Sequence, residues 1–339
     1  MSELTFSVRL GGPDRDIAAL TALTRAAEGL GFDQAWVGND FLGHPGIAAL
    51  ASMLIHTERI TVGSGVLDPV SIHPGQIAQI ASGFQELSAG RFVLGLGAGS
   101  DVFFARGGIV PNRPVRRTRE AIVAIRALTN GRSPAGEPGA AEGWDPAAGI
   151  SHPHPVRIYV GAMGPKLLEL AGRLADGALP LCLPPTHVWN VRRHLERGAA
   201  SAGRDVADLD VAACIWCSIA DDGGVARRLL ARQIALYSGS LSPDALREND
   251  LDPDEFRHVQ SIVDEGRLDD AIDATLASPA MMRLGIAGEP AAVTDACAEL
   301  LAAGLRHISF GPPLGADAFT ALEALGEHVL PALRHHGGA

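Results

Sequence analysis

Short apolar segments alternate with longer amphipathic segments along nearly the whole chain, and this alternation is the feature that most constrains its fold. Residues rich in Gly, Pro and Asp separate the segments, as expected between strands and helices. Eight strand candidates occur, at residues 4–10, 34–37, 60–66, 92–96, 157–160, 178–181, 209–219 and 306–310. An unbroken series of this kind predicts parallel βαβ units. Eight units favour a closed (β/α)8 (TIM) barrel of the α/β class, with an open doubly wound sheet as the alternative.

Two segments interrupt the series. A polar stretch near residues 131–155 is rich in Gly and Pro, and we interpret it as an insertion loop. An acidic segment near residues 242–277 has a helical pattern, and we interpret it as a helical insertion. The stretch near residues 131–155 comes closest to a linker, but it lies between a helix and a strand of the same series. We therefore interpret residues 1–339 as a single domain.

Composition limits the partners and the compartment. The net charge of −11 argues against binding to a nucleic-acid backbone. No apolar run approaches the ~20 residues of a membrane span, and the first residues do not resemble a secretion signal. Four cysteines in 339 residues do not make a disulfide framework, which favours the cytoplasm. We expect a small-molecule substrate, and neither a nucleic acid nor a membrane as partner.

The carboxyl ends of the second and third strand candidates carry the first candidate site residues, because the active site of a (β/α)8 barrel lies at these ends. Asn39 and Asp40 follow the second strand, and Asp40 is a group that can give or take a proton. A turn or a helix cap explains the same pair equally well. Gly65 and Val66 end the third strand, where glycine indicates a bulge or a close approach of backbone to a ligand. Tight packing inside the barrel is the alternative.

The fourth strand candidate ends in Gly97, Ala98, Gly99 and Ser100. The glycine spacing is not that of a dinucleotide fingerprint, and the next predicted helix begins only near Pro114. We interpret these small residues as making room for a flat ligand.

The fifth strand candidate is followed by a glycine turn and the start of a helix, in the order Gly161, Ala162, Met163, Gly164, Pro165 and Lys166. Free backbone N–H groups at a helix start form an anion site, and Pro suits the first helical position. Lys166 is the only lysine among 28 Lys and Arg residues. The segment therefore predicts an anion-binding turn, with an ordinary glycine turn as the alternative.

Two other patterns are not expected to carry chemistry. Cys214 and Cys217 have C-x-x-C spacing but face opposite sides of a predicted strand. His152 and His154 have no Cys or acidic residue nearby, so no metal site is expected. His73, before Pro74, is predicted to form a hydrogen bond at a helix start.

Taken together, these segments resemble the luciferase-like (bacterial luciferase) superfamily, and more closely its methylenetetrahydromethanopterin-reductase-like branch. The likeness covers nearly the whole chain and is most specific over residues 159–166, 170–177 and 308–315. Residues 62–66 with His73 and Pro74 also match the family pattern.

The resemblance implies coenzyme F420, a deazaflavin, as cofactor. It implies a non-prolyl cis peptide at Gly65-Val66 behind the central ring of the cofactor. From their position after the second strand, we expect Asn39 and Asp40 to face that ring as well. The phosphate of the cofactor tail would lie against residues 97–99 and the turn at 161–166. Because that tail is strongly anionic and the chain is acidic, a local positive patch is required. Its candidates are Lys166, Arg106, Arg113 and Arg116.

The chain departs from the family pattern at three places. Asn39-Asp40 stands where relatives acting on alcohols or sugars have Asp-His, and Ser100 stands where they have an acid. Arg9 stands where the reductase branch has a glutamate. We predict catalytic roles for Asp40 and Ser100 and a substrate contact for Arg9. A guanidinium there suits an anionic substrate, and an internal ion pair is an equal alternative.

The function implied is that of an F420-dependent oxidoreductase. Hydride would pass from the reduced deazaflavin to an electron-poor C=C, C=N or C=O bond of a small organic substrate. One alternative is an FMN-dependent monooxygenase that uses reduced flavin and O2. A second is a non-catalytic flavin-binding paralogue. We expect a homo-oligomer, with a dimer as the first expectation.

Overall fold

Eight parallel strands close into a barrel in the computed structural model, which describes residues 4–11, 15–182 and 184–337. The barrel strands are β1 (Thr5–Arg9), β2 (Gln34–Val37), β3 (Thr61–Ser64), β4 (Phe92–Leu96), β5 (Arg157–Ala162), β6 (Gly177–Cys182), β7 (Asp210–Ile219) and β9 (His307–Phe310). Each pairs with the next, and β9 closes the barrel by pairing with both β7 and β1. The predicted (β/α)8 barrel is confirmed.

Two short strands lie outside this barrel and have no counterpart among the predicted ones. They are β8 (Gly285–Gly288) and β10 (Pro313–Leu314). Both pair with the second half of the long strand β7, where it extends past its barrel partners. Segments of four and two residues are too short to show a period of their own.

Helices surround the barrel. They are α1 (Ile17–Gly29), α2 (Gly46–Ile55), α3 (Pro74–Leu87), α4 (Asp101–Arg106), α5 (Pro114–Thr129), α6 (Pro165–Leu174), α7 (Pro185–Ala200), α8 (Gly223–Tyr237), α9 (Pro243–Glu248), α10 (Pro253–Asp264), α11 (Leu268–Ala277), α12 (Pro279–Met282), α13 (Pro290–Ala302), α14 (Ala318–Ala324) and α15 (Leu330–Gly337). None of the helices in the described residues is long and apolar enough to cross a membrane. Helix α4 corrects the expectation that no helix begins before Pro114, since six residues are too few for an amphipathic pattern.

Two apolar clusters lie on the two sides of strand β7. Cys214 packs inside the barrel with Trp36 and Tyr159, whereas Cys217 belongs to the core between the strands and the outer helices. The prediction that these cysteines face opposite sides is confirmed. Burial raises the pKa of both thiols, that of Cys217 to about 12, so neither is a reactive thiolate at neutral pH.

Helices α9–α12 form an extra layer that packs with α8 in a separate apolar cluster, which includes Phe256 and Trp216 of β7. Met163, which follows β5, and Leu181 of β6 pack against the edge of this cluster. The helices between α8 and β8 are thereby attached to the carboxyl end of the barrel.

A buried polar chain lies at the opposite, amino-terminal end of the barrel. His307 is 1 % exposed and bridges Ser7 Oγ at 2.7 Å to the Asp210 carboxylate at 3.0 Å. The Tyr159 hydroxyl donates to the same carboxylate at 2.7 Å. These four side chains come from β1, β9, β7 and β5, so the chain of hydrogen bonds holds that end of the barrel together. Residues at this end of a (β/α)8 barrel usually contribute to stability rather than to catalysis.

The segment between α5 and β5 contains turns but neither helix nor strand. Its Trp144 packs against the ring of His73, with 5.4 Å between ring centroids. The Nδ1 atom of His73 accepts a hydrogen bond of 3.1 Å from the Gly75 N–H at the start of α3. The predicted role of His73 at a helix start is confirmed.

Candidate active site

Two neighbouring cavities open at the carboxyl ends of the barrel strands. The first, which we call the glycine cavity, has a volume of about 450 Å³. It is lined by Asn39 and Asp40 after β2, by Gly65 and Val66 after β3, by residues 97–100 after β4, and by residues 161–164 at the end of β5 and beyond it. Four separate predicted segments are therefore brought together in one place.

Val66 forms part of the wall of the glycine cavity. The Gly65-Val66 peptide bond is cis, as the family resemblance implies. A Cβ atom on Gly97 would lie 2.6 Å from the Val66 Cγ2 atom, and one on Gly161 would lie 2.8 Å from Cγ1. Both glycines therefore make room for the Val66 side chain rather than directly for a ligand.

Gly99 and Gly164 differ in what surrounds them. Gly99 has φ +80°, and a Cβ there would lie 2.1 Å from the Phe104 ring. A Cβ on Gly164 would meet nothing within 4 Å, so this side of the cavity is open. The open side is the one that faces the start of α6.

The start of helix α6 has the features of the predicted anion-binding turn. Gly164 is the N-cap residue and has no side chain to cap the helix, and Pro165 occupies the first turn. The first N–H groups of a helix have no intrahelical partner, so they are available to a ligand. Lys166 is exposed, and within the described ranges it forms no ion pair. Pro165 and Lys166 lie beside the glycine cavity without lining it.

The three arginines expected in the positive patch do not line this cavity. Arg116 forms an ion pair of 3.1 Å with Glu120 on its own helix. Arg113 precedes α5 in a left-handed conformation with φ 48°. Arg106 lies over the Phe103 ring, 5.2 Å from its centroid, and lines the second cavity. The spacing of arginines in the sequence did not reveal these orientations.

The second cavity, which we call the polar chamber, has a volume of about 1030 Å³. Its charged and polar side chains are Arg15, Asp16, Asp40, His44, Arg106 and Tyr237. Two residues, Asp40 and Phe103, line both the polar chamber and the glycine cavity. Asp40 therefore stands at the boundary between the two spaces.

The surroundings of Asp40 and Tyr237 raise the pKa values of both side chains. Partial burial of the carboxyl raises its pKa above the ordinary value, and the positive charge of His44 opposes that rise. The residue as a whole is exposed at the cavity mouth, so burial acts on only part of the carboxyl. Burial also raises the pKa of Tyr237, and the negative charge of Asp40 adds to that effect. An acid whose pKa is raised keeps its proton to higher pH, which suits proton transfer.

The loop after β2 holds Asp40 in this position. The Asn39 Oδ1 atom accepts a hydrogen bond of 3.3 Å from the Ile47 N–H at the start of α2. The Gly43 N–H donates to the Asp40 carbonyl at 2.8 Å, which closes a turn. Asn39 thus accepts from one N–H in the first turn of α2, whose N-cap residue is Pro45, and it also lines the glycine cavity. The Asp40 carboxylate has no hydrogen-bond partner among the residues that the structure describes.

Ser100 and Arg9 occupy different environments. Ser100 lines the glycine cavity and is the N-cap residue of α4, where its side chain forms no cap hydrogen bond. Arg9 lies inside the barrel, where its Nη2 atom donates to the carbonyl groups of Ile215 and Gly311. It lines neither cavity, and its bonds are to backbone rather than to an acid. The catalytic role of Ser100 and the substrate role of Arg9 stay predictions.

Three further residues of the cavities belong to no motif. His44 follows Asp40 by four residues in the same loop, Tyr237 ends α8, and Ser242 precedes α9. The position of His44 after a barrel strand was a usable signal in the sequence. Tyr237 and Ser242 had none, because the fold of the segment after α8 brings them to the barrel mouth.

The chain is similar in sequence to known proteins over most of its length. The model of the luciferase-like monooxygenase family matches residues 4–307. A 5,10-methylenetetrahydromethanopterin reductase of Archaeoglobus fulgidus is 29 % identical over 95 % of this chain and 98 % of its own length. An F420-dependent glucose-6-phosphate dehydrogenase of Nakamurella multipartita is 30 % identical over 93 % of this chain and 92 % of its own length.

A solved structure is also similar over its whole length. The coenzyme F420 dependent tetrahydromethanopterin reductase from Methanopyrus kandleri superposes with a TM-score of 0.85 at 25 % sequence identity. The match covers 98 % of this chain and 100 % of that one.

Proposed function

This chain belongs to the luciferase-like monooxygenase family, and from that premise we propose that it is an F420-dependent oxidoreductase. Its relatives among the reductases and the glucose-6-phosphate dehydrogenases are named for F420 or for a reductase reaction, and each aligns over more than nine-tenths of this chain. The substrate we propose is a small organic molecule with an electron-poor C=C, C=N or C=O bond.

The glycine cavity fits a flat ring with an anionic tail. Its wall of Val66, Gly97, Ala98 and Leu179 is apolar, as a tricyclic ring requires. Its side at Gly164 is open and continues to the uncapped start of α6, where a tail phosphate would find free N–H groups. We propose that Lys166 reaches that phosphate, since its ammonium group is not engaged in an ion pair within the described ranges.

F420 in its reduced form supplies a hydride when it is bound. The protein positions the substrate in the polar chamber, next to that cavity. Asp40 holds the proton that accompanies the hydride, because it is the titratable group that lines both spaces. This placement of Asp40 is the observation that carries the proposal.

Binding of the two candidate cofactors tests the proposal. Purified protein titrated with F420 and with FMN, followed by ligand fluorescence, is expected to bind F420 at least tenfold more tightly, which corresponds to about 1.4 kcal/mol. Equal affinities, or FMN that copurifies with the protein, would favour the FMN-dependent monooxygenase. Tight binding of F420 without hydride transfer to any electron-poor substrate would favour the non-catalytic paralogue.

We also propose an oligomeric state and a compartment. A homodimer is supported by the exposed apolar residues Ile55 and Leu87, at the ends of α2 and α3. The cytoplasm is supported by three described cysteines, Cys214, Cys217 and Cys297, that are buried as free thiols. Light scattering coupled to size-exclusion chromatography measures the oligomeric state, and a monomer would overturn the first proposal.

A further inference from the structure

Hydrogen bonds between buried side chains join helix α7 to the end of helix α9, and we call these contacts the α7–α9 junction. We propose that Asn190 of α7 and Asn249, the C-cap residue of α9, are positioning residues that hold α9 as a wall of the glycine cavity. Neither residue lines either cavity. The junction then sets how tightly the cofactor binds, so the inference rests on the proposed function for the identity of that cofactor.

The junction connects two elements that both contribute to the glycine cavity. Leu179 and Leu181 of β6 line the cavity, and α7 is the next element after β6. Ser242, the N-cap residue of α9, also lines it. Both helices are therefore attached to the cavity through their amino-terminal ends. A change in the position of α9 relative to α7 is expected to change the shape of the cavity.

Both ends of the Asn249 amide take part in the junction. Asn249 is 1 % exposed, and its Oδ1 atom accepts hydrogen bonds from His187 Nδ1 at 3.2 Å and from Asn190 Nδ2 at 3.3 Å. Its Nδ2 atom donates to the Ala245 carbonyl within α9 at 2.7 Å. Because a buried amide that loses its partners is costly, these bonds favour one position of α9 relative to α7.

Glu248, the last residue of α9, adds contacts to the same helix. Its carbonyl accepts a hydrogen bond of 3.0 Å from Asn190 Nδ2. Its Oε1 atom accepts one of 2.8 Å from Arg193 Nη2 and lies 2.9 Å from His194 Nε2. The spacing of three or four residues places all the partners on one face of α7. Arg193 is exposed, and exposed ion pairs contribute little, so the buried amide contacts are the ones to test.

Helix α9 depends on tertiary contacts for its position. It has six residues, and helices of this length are not stable on their own in water. Its Leu246 is 1 % exposed and belongs to the apolar cluster of the outer helices. That contact attaches α9 to the outer layer, whereas the junction attaches it to the helix that follows β6. Loss of the junction is therefore expected to let Ser242 move relative to the cavity.

Amide hydrogen exchange of the free protein tests the position of α9 in the absence of cofactor. Asn190→Ala removes two hydrogen bonds between the helices, and exchange over residues 241–249 is expected to become about tenfold faster. Fluorescence titration is expected to give a dissociation constant for F420 that is about two- to tenfold higher, the range for loss of an ordinary hydrogen bond. Asn249→Ala is the second variant. The double variant should weaken binding by less than the product of the two single effects, because the two residues share a hydrogen bond.

Two variants of the end of α5 serve as matched controls, and neither position lines a cavity of the site. Asn130→Ala removes an amide that donates to the carbonyl four residues earlier, as the Asn249 amide does. Thr129→Ala removes a buried side-chain hydrogen bond, so it lowers the free energy of unfolding without acting on α9. Both should keep the wild-type exchange over residues 241–249 and the wild-type affinity for F420. An equal loss of affinity in Thr129→Ala would mean that general destabilisation explains the effect, and the proposal would fail.

The outcomes separate the junction from the proposed function. Faster exchange over residues 241–249 together with weaker F420 binding, in asparagine variants that fold as judged by thermal unfolding, supports the junction. Unchanged exchange, or faster exchange with unchanged F420 affinity, overturns it. Failure of the wild-type protein to bind F420 overturns the proposed function instead. The exchange measurement does not depend on that result and then decides by itself whether the junction holds α9 in place.

Discussion

The side chain of Val66 stands where a side chain on Gly97 would have to be, with only 2.6 Å between the Val66 Cγ2 atom and a Cβ built on Gly97. Val66 also follows the cis peptide of the cavity wall. The two residues follow neighbouring strands, β3 and β4. A substitution at Gly97 therefore displaces Val66, which also lines the proposed cofactor site.

Gly97→Ala is expected to push Val66 into the glycine cavity and weaken F420 binding at least tenfold, about 1.4 kcal/mol. Overpacking of this kind also lowers the free energy of unfolding by about 1–3 kcal/mol. Fluorescence titration and chemical denaturation measure the two effects. Gly83→Ala, on the exposed face of α3 with nothing within 4 Å of a new Cβ, is the control. Unchanged F420 affinity in Gly97→Ala would show that Val66 does not shape the cofactor site.

Asp40→Asn is expected to leave F420 affinity nearly intact and to lower turnover by about 10²–10⁴-fold, the usual range for general acid–base catalysis. The substitution nearly preserves shape, so loss of turnover reports on the proton rather than on packing. Because burial raises the pKa of Asp40, the donor form of wild-type protein persists to higher pH than that of an ordinary carboxylic acid. Loss of absorbance of reduced F420, followed against pH, measures both effects. Full turnover with an unmoved pH profile would make Asp40 a turn residue.

Lys166→Ala is expected to weaken F420 binding by about 1–3 kcal/mol, the scale of a hydrogen bond to a charged group. Lys166→Arg should be only partly tolerated, since a planar guanidinium differs from a compact ammonium in geometry. Arg173→Ala is the control. Arg173 lies in the last turn of α6, at the other end of the helix from Lys166 in the first turn. An alanine variant with the wild-type dissociation constant would remove Lys166 from the cofactor site.

Asp210 is expected to contribute stability that depends on pH. Burial alone would raise its pKa, but hydrogen bonds from His307 and Tyr159 outweigh burial and lower it. A lowered folded-state pKa gives stability that is fully present above the unfolded value of about 3.9 and is lost as pH falls through the folded value. Asp210→Asn should remove this dependence and lower the free energy of unfolding at pH 7 by about 1–3 kcal/mol.

The matched control for Asp210→Asn is Asp208→Asn, since Asp208 is an exposed aspartate two residues earlier. Its free energy of unfolding should stay within about 0.5 kcal/mol of wild type, as for most surface substitutions. Denaturant unfolding between pH 3 and pH 7 compares the three proteins. If the free energy of unfolding falls with pH to the same extent in wild type and in Asp210→Asn, the role of the buried polar chain is contradicted.

The sequence by itself determined the architecture. A strand segment followed by a helix segment recurs eight times along the sequence. A sheet of parallel strands joined by helices must bury both of its faces, and few arrangements do so. Because barrel sites lie at the carboxyl ends of strands, the segments after β2, β3, β4 and β5 were also recognisable as site segments. The cis bond at Gly65-Val66 followed from the family resemblance, not from the residue pattern.

Tertiary structure alone decided how side chains share the space between those segments. Gly97 and Gly161 admit Val66, and Arg9 bonds to backbone carbonyls inside the barrel. Asp40 acquires its place between two cavities only when α4 and the end of α8 close the polar chamber. Periodicity reports which face of an element is buried, but not which distant residue fills a gap or partners a charge. Those relationships depend on contacts between residues far apart in the sequence, which no local pattern encodes.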